Sequence, residues 1–591
     1  MKAKVIIFWA GLLLLTACSR EGVDKVLVEA ESFQDKGGWV TDPQFVEQMG
    51  SPYLLAHGLG KPVADARTTV PVPVAGKYHV WVRTKNWAVG PWHPPGRFLM
   101  RINGQPSDTL GTLPEEGWQW QYAGTFSLKS SSLALELHDL TGFEGRCDAV
   151  YLSKEKVPPP DDPGTLAAWR KELPGEDTLP VPEKTFDVVI VGGGIAGCAA
   201  AIAAAEQGMQ VALVHDRPVP GGNASSEIRV HTEGITGPAE RILSMINTDH
   251  WPNGDPRARQ DDQKRLRNLR KYKNLHLFLN WRAFDANTAG DSITSVDARH
   301  TSTGEQIRFK APYYIDCTGD GWIGYWAGAE YMYGREPASQ YGEHLEKYGD
   351  LWSPEKADNR VMGSSVLWRT KEEKREVSFP AVPWALPVAK EYQATHGTWK
   401  WEFSRDDVHQ IRDAEEIRDH MFRAIYGSFY NAKQLPGNEK LALEWVSYLV
   451  GKRESRRLAG DHIFTFRDVR ELRKFPDAVA IGVRPVDVHY QQCLVDTTKP
   501  DFLSEALYYR VDHYTIPYRS LYSKNIRNLF MAGRCFSCSH VGLGGPRVMN
   551  TTGQMGVAVG LAASLCKKYH VNPRKIYPDH IRELQRLIGD I

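Results

Sequence analysis

Phe186-Asp187-Val188-Val189-Ile190-Val191 runs directly into Gly192-Gly193-Gly194-Ile195-Ala196-Gly197, and an alanine-rich stretch from Cys198 to Gln207 leads on to Val211-Ala212-Leu213-Val214. A short, uninterrupted apolar run is the pattern of a parallel strand covered on both faces. The alanines favour helix, so the segment reads strand, tight turn, helix, strand. In that setting Gly-x-Gly-x-x-Gly becomes specific. Gly192 permits the tight turn, Gly194 lets a diphosphate approach the backbone, and Gly197 lets helix and strand pack closely. The helix N-terminus offers unpaired N–H groups and the positive end of its dipole to the phosphates. A ribose-binding acid is expected at the end of the second strand, about twenty residues on. That place falls on His215, with Asp216 next. Either Asp216 takes the ribose after a one-residue adjustment, or His215 donates one hydrogen bond to it, or none.

Three more segments follow in order. Gly221-Gly222 comes after the second strand, Tyr313-Tyr314-Ile315-Asp316-Cys317-Thr318-Gly319-Asp320 is an internal strand and turn, and Asn528-Leu529-Phe530-Met531-Ala532-Gly533-Arg534 is a late one. A Gly- and Ala-rich helix is expected from about Gly553 to Cys566. This series resembles the FAD-binding flavoproteins with two dinucleotide-binding folds. The resemblance implies FAD as cofactor, with Thr318, Gly319, Asp320, Gly533, Arg534 and Gly556 joining the earlier glycines around it. Asn223-Ala224-Ser225-Ser226-Glu227-Ile228-Arg229, Gly451-Lys452-Arg453-Glu454-Ser455-Arg456-Arg457 and Arg547-Val548-Met549 resemble a group of bacterial FAD-dependent oxidoreductases, distant relatives of the fumarate reductase flavoprotein. The likeness runs from about residue 184 to 569. It implies an α/β, Rossmann-like FAD domain at 185–337 and 478–591, interrupted by an inserted α+β substrate or cap region at 338–477. Within the insert, Asp413 is placed to cap a helix with Ile417, Met421, Phe422 and Ile425 on one face. A second helix is expected around Leu441, Trp445 and Leu449. The Arg453 to Arg457 cluster is read as a solvated helix face paired with nearby acids, in preference to functional charge. Trp399 and Trp401 are either core or sugar-stacking residues.

Upstream, period-two alternation at Tyr78, Val80 and Val82 and at Leu133, Leu135 and Leu137 marks half-buried strands. Asn103-Gly104 is a hairpin signal. Residues 24–155 therefore read as an antiparallel β-sandwich, followed by a Pro-rich linker at 156–184. Val28-Glu29-Ala30-Glu31, the strand Gly76 to Arg83 and Asp148-Ala149-Val150-Tyr151-Leu152 resemble secreted carbohydrate-binding β-sandwich modules. Trp39, Trp87, Trp92, Trp118 and Trp120 are candidates for a stacking face, though most are expected in the core. Glu29 and Glu31 are read on one strand face. In such modules residues of this kind hold a structural calcium; ordinary solvated carboxylates are the alternative.

At the start, Lys2 and Lys4 precede an apolar run from Val5 to Leu15 and then Thr16-Ala17-Cys18. This is a secretory signal too short to span a bilayer. Leu15-Thr16-Ala17-Cys18 resembles the bacterial lipobox, so residues 1–17 are expected to be removed and Cys18 lipidated, giving an exported, membrane-anchored protein. Seven cysteines remain after Cys18, mostly in apolar segments, which does not suggest a disulfide framework. With 72 Lys+Arg against 71 Asp+Glu, the net charge of +1 gives no reason to expect a nucleic-acid partner.

The expected chemistry is oxidation of an alcohol on a carbohydrate or glycoside, by hydride transfer to flavin while a base takes the hydroxyl proton. His540, seven residues after Gly533, is the expected base or hydrogen-bond donor, and Arg547 the group that orients the substrate. His489, His513 and Tyr518 are weaker candidates. Cys535-Phe536-Ser537-Cys538 is a CxxC whose redox-dithiol reading ranks below plain packing. Two rivals stand beside this expectation. One is a redox-neutral oxidation–elimination that cleaves a glycoside; the other is a non-catalytic surface protein that binds carbohydrate. The sequence does not identify the electron acceptor.

Overall fold

A computed structural model describes residues 24–589 apart from 73, 130–131, 174–179 and 250, so the export signal and Cys18 lie outside the described residues. Val188–Val191 is the central strand of a five-stranded parallel sheet. The order is Leu275–Leu279, Val211–His215, Val188–Val191, Tyr313–Asp316, Leu529–Met531. Its apolar run is uninterrupted because both faces are covered. Val188 and Ile190 share a core with the alanines of the helix Ile195–Glu206 and with the helix Met549–Tyr569. Val189 and Val191 point the other way, to Ala283, Val296 and Phe309. Those belong to a second sheet built from Glu183–Thr185, Gln306–Lys310, Ser292–His300 and Trp281–Ala289.

The N-terminal region is β-rich. Two four-stranded antiparallel sheets share one core, with Val80, Val82 and Val150 from one and Met100, Leu135 and Leu137 from the other. Asn103 and Gly104, at φ 48° and 80°, turn the strand Phe98–Ile102 into Gln105–Pro106, the two positive φ values that a two-residue hairpin favours. The expected linker is not all linker. It contains the helix Pro163–Glu172, with Asp162 accepting the Thr165 N–H at its N-cap and Pro at its first turn. Its Leu166 and Trp169 pack on Trp81, Trp120 and Tyr151. Its Arg170 donates to Asp148 at 2.6 Å and lies 3.6 Å from Glu29. Glu31 lies in a 3-10 turn past the strand that ends at Glu29, so the two acids do not share a strand face. Among the described residues no group of three or more His, Cys, Asp or Glu side chains is arranged to hold a metal ion; Arg170 supplies positive charge beside both acids, and Lys36 acts on Glu31.

This β module is docked on the helix Ala414–Lys433. The helix Ala414–Lys433 buries Ile417, Met421, Phe422 and Ile425 on one face, as the periodicity predicts. Asp413 stands at its N-cap, but its side chain accepts from the His409 N–H rather than capping the helix. Arg146 of the β module, fully buried, donates to Glu415 at 2.7 Å and to Asp419 at 2.9 Å. In the opposite direction Arg418, also fully buried, donates to Asp42 and to the Tyr53 hydroxyl. Trp118 donates its indole N–H to Glu415, and Trp87 packs edge-on against Trp384. None of the five tryptophans proposed for stacking is exposed: Trp39, Trp87 and Trp120 are buried and Trp92 and Trp118 half-buried. The expected second helix is instead the strand Leu441–Val446, paired with Trp368–Glu372. There Trp445 supports the Arg229 guanidinium at 4.2 Å.

Replacing Arg418 by Met keeps the volume but strips Asp42 of its buried counter-charge. The expected cost is about 3–5 kcal/mol, measured as a lower unfolding midpoint of the full chain in denaturant; a midpoint equal to wild type would show that the pair stabilises nothing.

Candidate cofactor and active site

The glycine loop has the expected geometry. Gly192 sits at φ 101°, and a Cβ there would meet the Cys317 carbonyl oxygen at 2.2 Å; a Cβ on Gly197 would lie 1.8 Å from the Gly192 oxygen. Gly194 differs. Its φ is an ordinary −68°, and the nearest atom to an added Cβ is Gly222 Cα at 3.9 Å. Its missing side chain therefore keeps open the space between two loops, where a diphosphate fits. The Gly221 N–H donates to the Gly193 oxygen at 2.7 Å, fixing the second loop against the first. His215 secures the same pair. Its Nδ1 accepts from the Gly193 N–H at 3.1 Å and its Nε2–H donates to the Val219 oxygen at 3.0 Å. With both nitrogens used, the ring has nothing left for a ribose, and burial pushes its pKa down to about 4. The acid that lines the cavity at this place is Asp216, held by Arg282 at 3.1 Å.

Thr318, Gly319 and Asp320 form the opposite wall. Asp316 sets their turn by accepting the Thr318 N–H and hydroxyl at 3.0 and 2.7 Å. Asp320 accepts from Lys452 and Ser455, each at 2.7 Å, with Arg534 at 3.3 Å. Burial alone would raise its pKa, but Lys452 and Arg534 hold it well below the usual carboxylate range. Arg534 Nη1 is buried with no hydrogen-bond partner among the described residues. Arg217, Arg282 and Arg547 also line this cavity, as do Met549 and Thr552 from the first turn of the helix Met549–Tyr569. An open glycine cradle, several cations and an unpaired guanidinium nitrogen fit an anionic dinucleotide such as FAD.

A second cavity continues from the first and shares Asn223, Lys452, Arg534, Arg547 and Met549 with it. On the strand Val486–Gln491, Val486 and Val488 enter the core, while Asp487 and His489 face this cavity, the alternation of a half-buried strand. His489 Nδ1 is 2.6 Å from Glu402 Oε2. Burial would raise the pKa of Glu402, yet Arg453 at 3.2 Å and His489 hold it well below the carboxylate range. An ionised carboxylate only accepts, so Nδ1 carries the proton and Nε2 is left as the acceptor. Burial also lowers the pKa of His489, which keeps the ring neutral. Trp399 lies edge-on to the imidazole at 5.3 Å and lines the same cavity. Arg547 donates to Asp487.

Several expectations need correction. His540 lines neither cavity. It opens a short buried helix, where its Nδ1 pairs with Glu454 at 2.8 Å and its N–H donates to Glu336. Gly556 faces the Ala196 oxygen, 2.1 Å from an added Cβ, so it serves the contact between two helices and not the cofactor cavity. The Arg453 to Arg457 cluster is neither helical nor solvated. Arg453 braces Glu402, Arg456 lies 3.9 Å over the Tyr325 ring, and Arg457 pairs with Glu336 at 2.9 Å. Cys535 and Cys538 are free and buried, and burial pushes both thiols well above the usual range, which leaves them unreactive. His513 is exposed, and Tyr518 is buried with its hydroxyl on the Pro573 oxygen. The sequence reading passed over Glu402, Asp487, His231, Glu233 and Arg484; of these, only the alternation at residues 486–489 carried a signal.

Two glycine variants separate cradle from packing. Gly194→Ala is expected to melt like wild type but to lose FAD affinity by tenfold or more, an estimate of about one lost close contact to the diphosphate; Gly197→Ala is expected to lower the melting temperature of the apoprotein itself. Calorimetry with and without FAD decides, and two variants that behave alike would contradict the division. The buried neutral His215 also makes stability depend on pH. Its folded pKa near 4 lies below the ordinary value near 6.5, so the unfolded chain binds the proton first as pH falls. Stability is expected to fall by on the order of 3 kcal/mol between pH 6.5 and 4. His215→Gln should flatten that slope in denaturant titrations at a series of pH values.

Residues 187–588 match the FAD dependent oxidoreductase family. A geranylgeranyl bacteriochlorophyll reductase-like protein from Thermoplasma acidophilum is similar at 13% identity and TM-score 0.32, over 69% of this chain and 83% of that one. Sdh1 of Mycobacterium smegmatis is similar at 14% identity and TM-score 0.26, over 66% and 70%. A family 35 carbohydrate binding module from Clostridium thermocellum is similar at 16% identity and TM-score 0.19, over 22% of this chain and 96% of that one. These likenesses are distant, and the assignment rests on the sequence match, which covers well over half of the chain. The glycine cradle and the match together make this chain a member of the FAD dependent oxidoreductase family, an enzyme.

Proposed function

We propose that the chain oxidises an alcohol group of a carbohydrate or glycoside, with His489 taking the hydroxyl proton. The observation that carries this reading is the Glu402–His489 pair, which turns a neutral imidazole toward a cavity continuous with the cofactor cavity. FAD bound in the cradle supplies the hydride acceptor. The remaining roles belong to the chain. Glu402, fixed by Arg453 and by the Ser504 hydroxyl at 2.9 Å, holds the His489 tautomer. Arg547 stands where the two cavities join and, tied to Asp487, orients the polar end of a substrate. Trp399 offers an aromatic wall, and Asn253, Ser365 and Tyr508 offer hydrogen bonds, a lining suited to a polyol. Export and lipid anchoring at Cys18 belong to the same proposal.

The test is an anaerobic screen of the holoenzyme against sugars and glycosides, following bleaching of the flavin band. No bleaching by any of them would sink the carbohydrate reading. With a substrate found, His489→Asn is expected to lower kcat by about 100- to 10,000-fold while FAD stays bound. Because burial lowers the His489 pKa, the base is already free at neutrality. The expected kcat/KM is therefore flat through pH 7 and falls only on the acid side of the ordinary histidine value near 6.5. In His489→Asn that acid limb should vanish.

A further inference from the structure

We propose that the N-terminal β module is a structural wall of the FAD site, and that Glu47 positions the acid meant for the ribose. Gln44, Phe45 and Glu47 lie between the strand Val40–Asp42 and the end of the short helix Val46–Met49, and all three line the cavity that contains the glycine loop. Residues outside the module hold them there. Gln44 Oε1 accepts the Val450 N–H at 2.9 Å, and its Nε2 donates to the Tyr448 oxygen at 3.0 Å. Phe45 lies under the Arg418 guanidinium at 4.9 Å. Glu47 receives Arg282 Nη2 on both carboxylate oxygens at 2.6 Å.

The last contact has a consequence for the cofactor. Arg282 reaches Glu47 through Nη2 and Asp216 through Nη1, at 3.1 Å to Oδ2. A guanidinium with Asp216 as its one acidic partner would dock on it as a fork, taking both oxygens. Glu47 draws half of that fork away, so Asp216 Oδ1, with Arg217 Nε as its guanidinium neighbour at 3.8 Å and beyond hydrogen-bond distance, remains an acceptor for a sugar hydroxyl. The alignment Glu47–Arg282–Asp216 thus begins in the first module of the chain and ends at the C-terminal end of the second strand of the parallel sheet. A carbohydrate-binding module on a flexible tether would contribute nothing of this kind.

The experiment uses the full chain stripped of FAD and titrated with FAD, following flavin fluorescence, with melting of the apoprotein as the control for folding. No substrate is added, so the outcome does not depend on the carbohydrate reading. Glu47→Ala is expected to raise the FAD Kd by about tenfold, the loss of one charge-assisted contact, and Gln44→Ala to raise it by less. An unchanged Kd in Glu47→Ala with wild-type melting overturns the proposal, as does a full chain that takes up no FAD. If Glu47→Ala fails to fold, Glu47→Gln, which keeps the shape and removes the charge, is judged by the same criterion.

Discussion

Arg146 and Arg418 are buried cations whose carboxylate partners lie across a module boundary. Removing a charge from water costs several kcal/mol, and attraction in the interior offsets it only when geometry and hydrogen bonding are both good. Here the two arginines point in opposite directions, one from the β module and one from the helix Ala414–Lys433, so each side supplies the counter-ion the other needs. The arrangement tolerates little displacement, because a shift of an ångström or two would strand four buried charges. From that fixed orientation follow the seating of residues 44–47 against the cofactor cavity and the burial of the tryptophans at the seam.

The same economy of charge governs the active-site region. Asp320 compensates Lys452 and Arg534, Glu402 compensates Arg453, and Asp487 compensates Arg547. What is left over is directional: unpaired guanidinium nitrogens, Arg534 Nη1 and Arg547 Nε among them, and a neutral histidine held in a single tautomer. In the proposed reaction such fixed dipoles and charges would need no rearrangement when a substrate arrives, which is how preorganised sites lower barriers.

The parts legible in the sequence are those where backbone geometry restricts residue choice. The glycine loop, its helix and four of the five strands follow from patterns that act within a few residues, as where a Cβ at Gly197 collides with the Gly192 oxygen; the edge strand Leu275–Leu279 carried no such mark. The long helix at 414–433 was legible for the same reason, as its apolar face recurs at a fixed period. The failures have a different origin. His540 stands close to Gly533 along the chain, but its buried side chain pairs with Glu454 and lines neither cavity. Glu402 and His489 are 87 residues apart, and nothing local marks them as partners. Leu441, Trp445 and Leu449 match a helical period by coincidence; pairing with the strand at 368–372 decides the conformation there. Arg453 to Arg457 looked like surface because charge usually is, and here burial is made tolerable by acids drawn from distant segments.

The contact between Asp42 and Arg418 joins residues 376 positions apart. A ribosome completes the β module long before it makes the helix that neutralises it, so the young module must carry Asp42 and Arg146 as unmet obligations. Until then both charges lack the partners they have in the folded chain. The order of synthesis thus runs against the order of closure. The contact that fixes the β module in the folded chain can close only after residue 418 has been made.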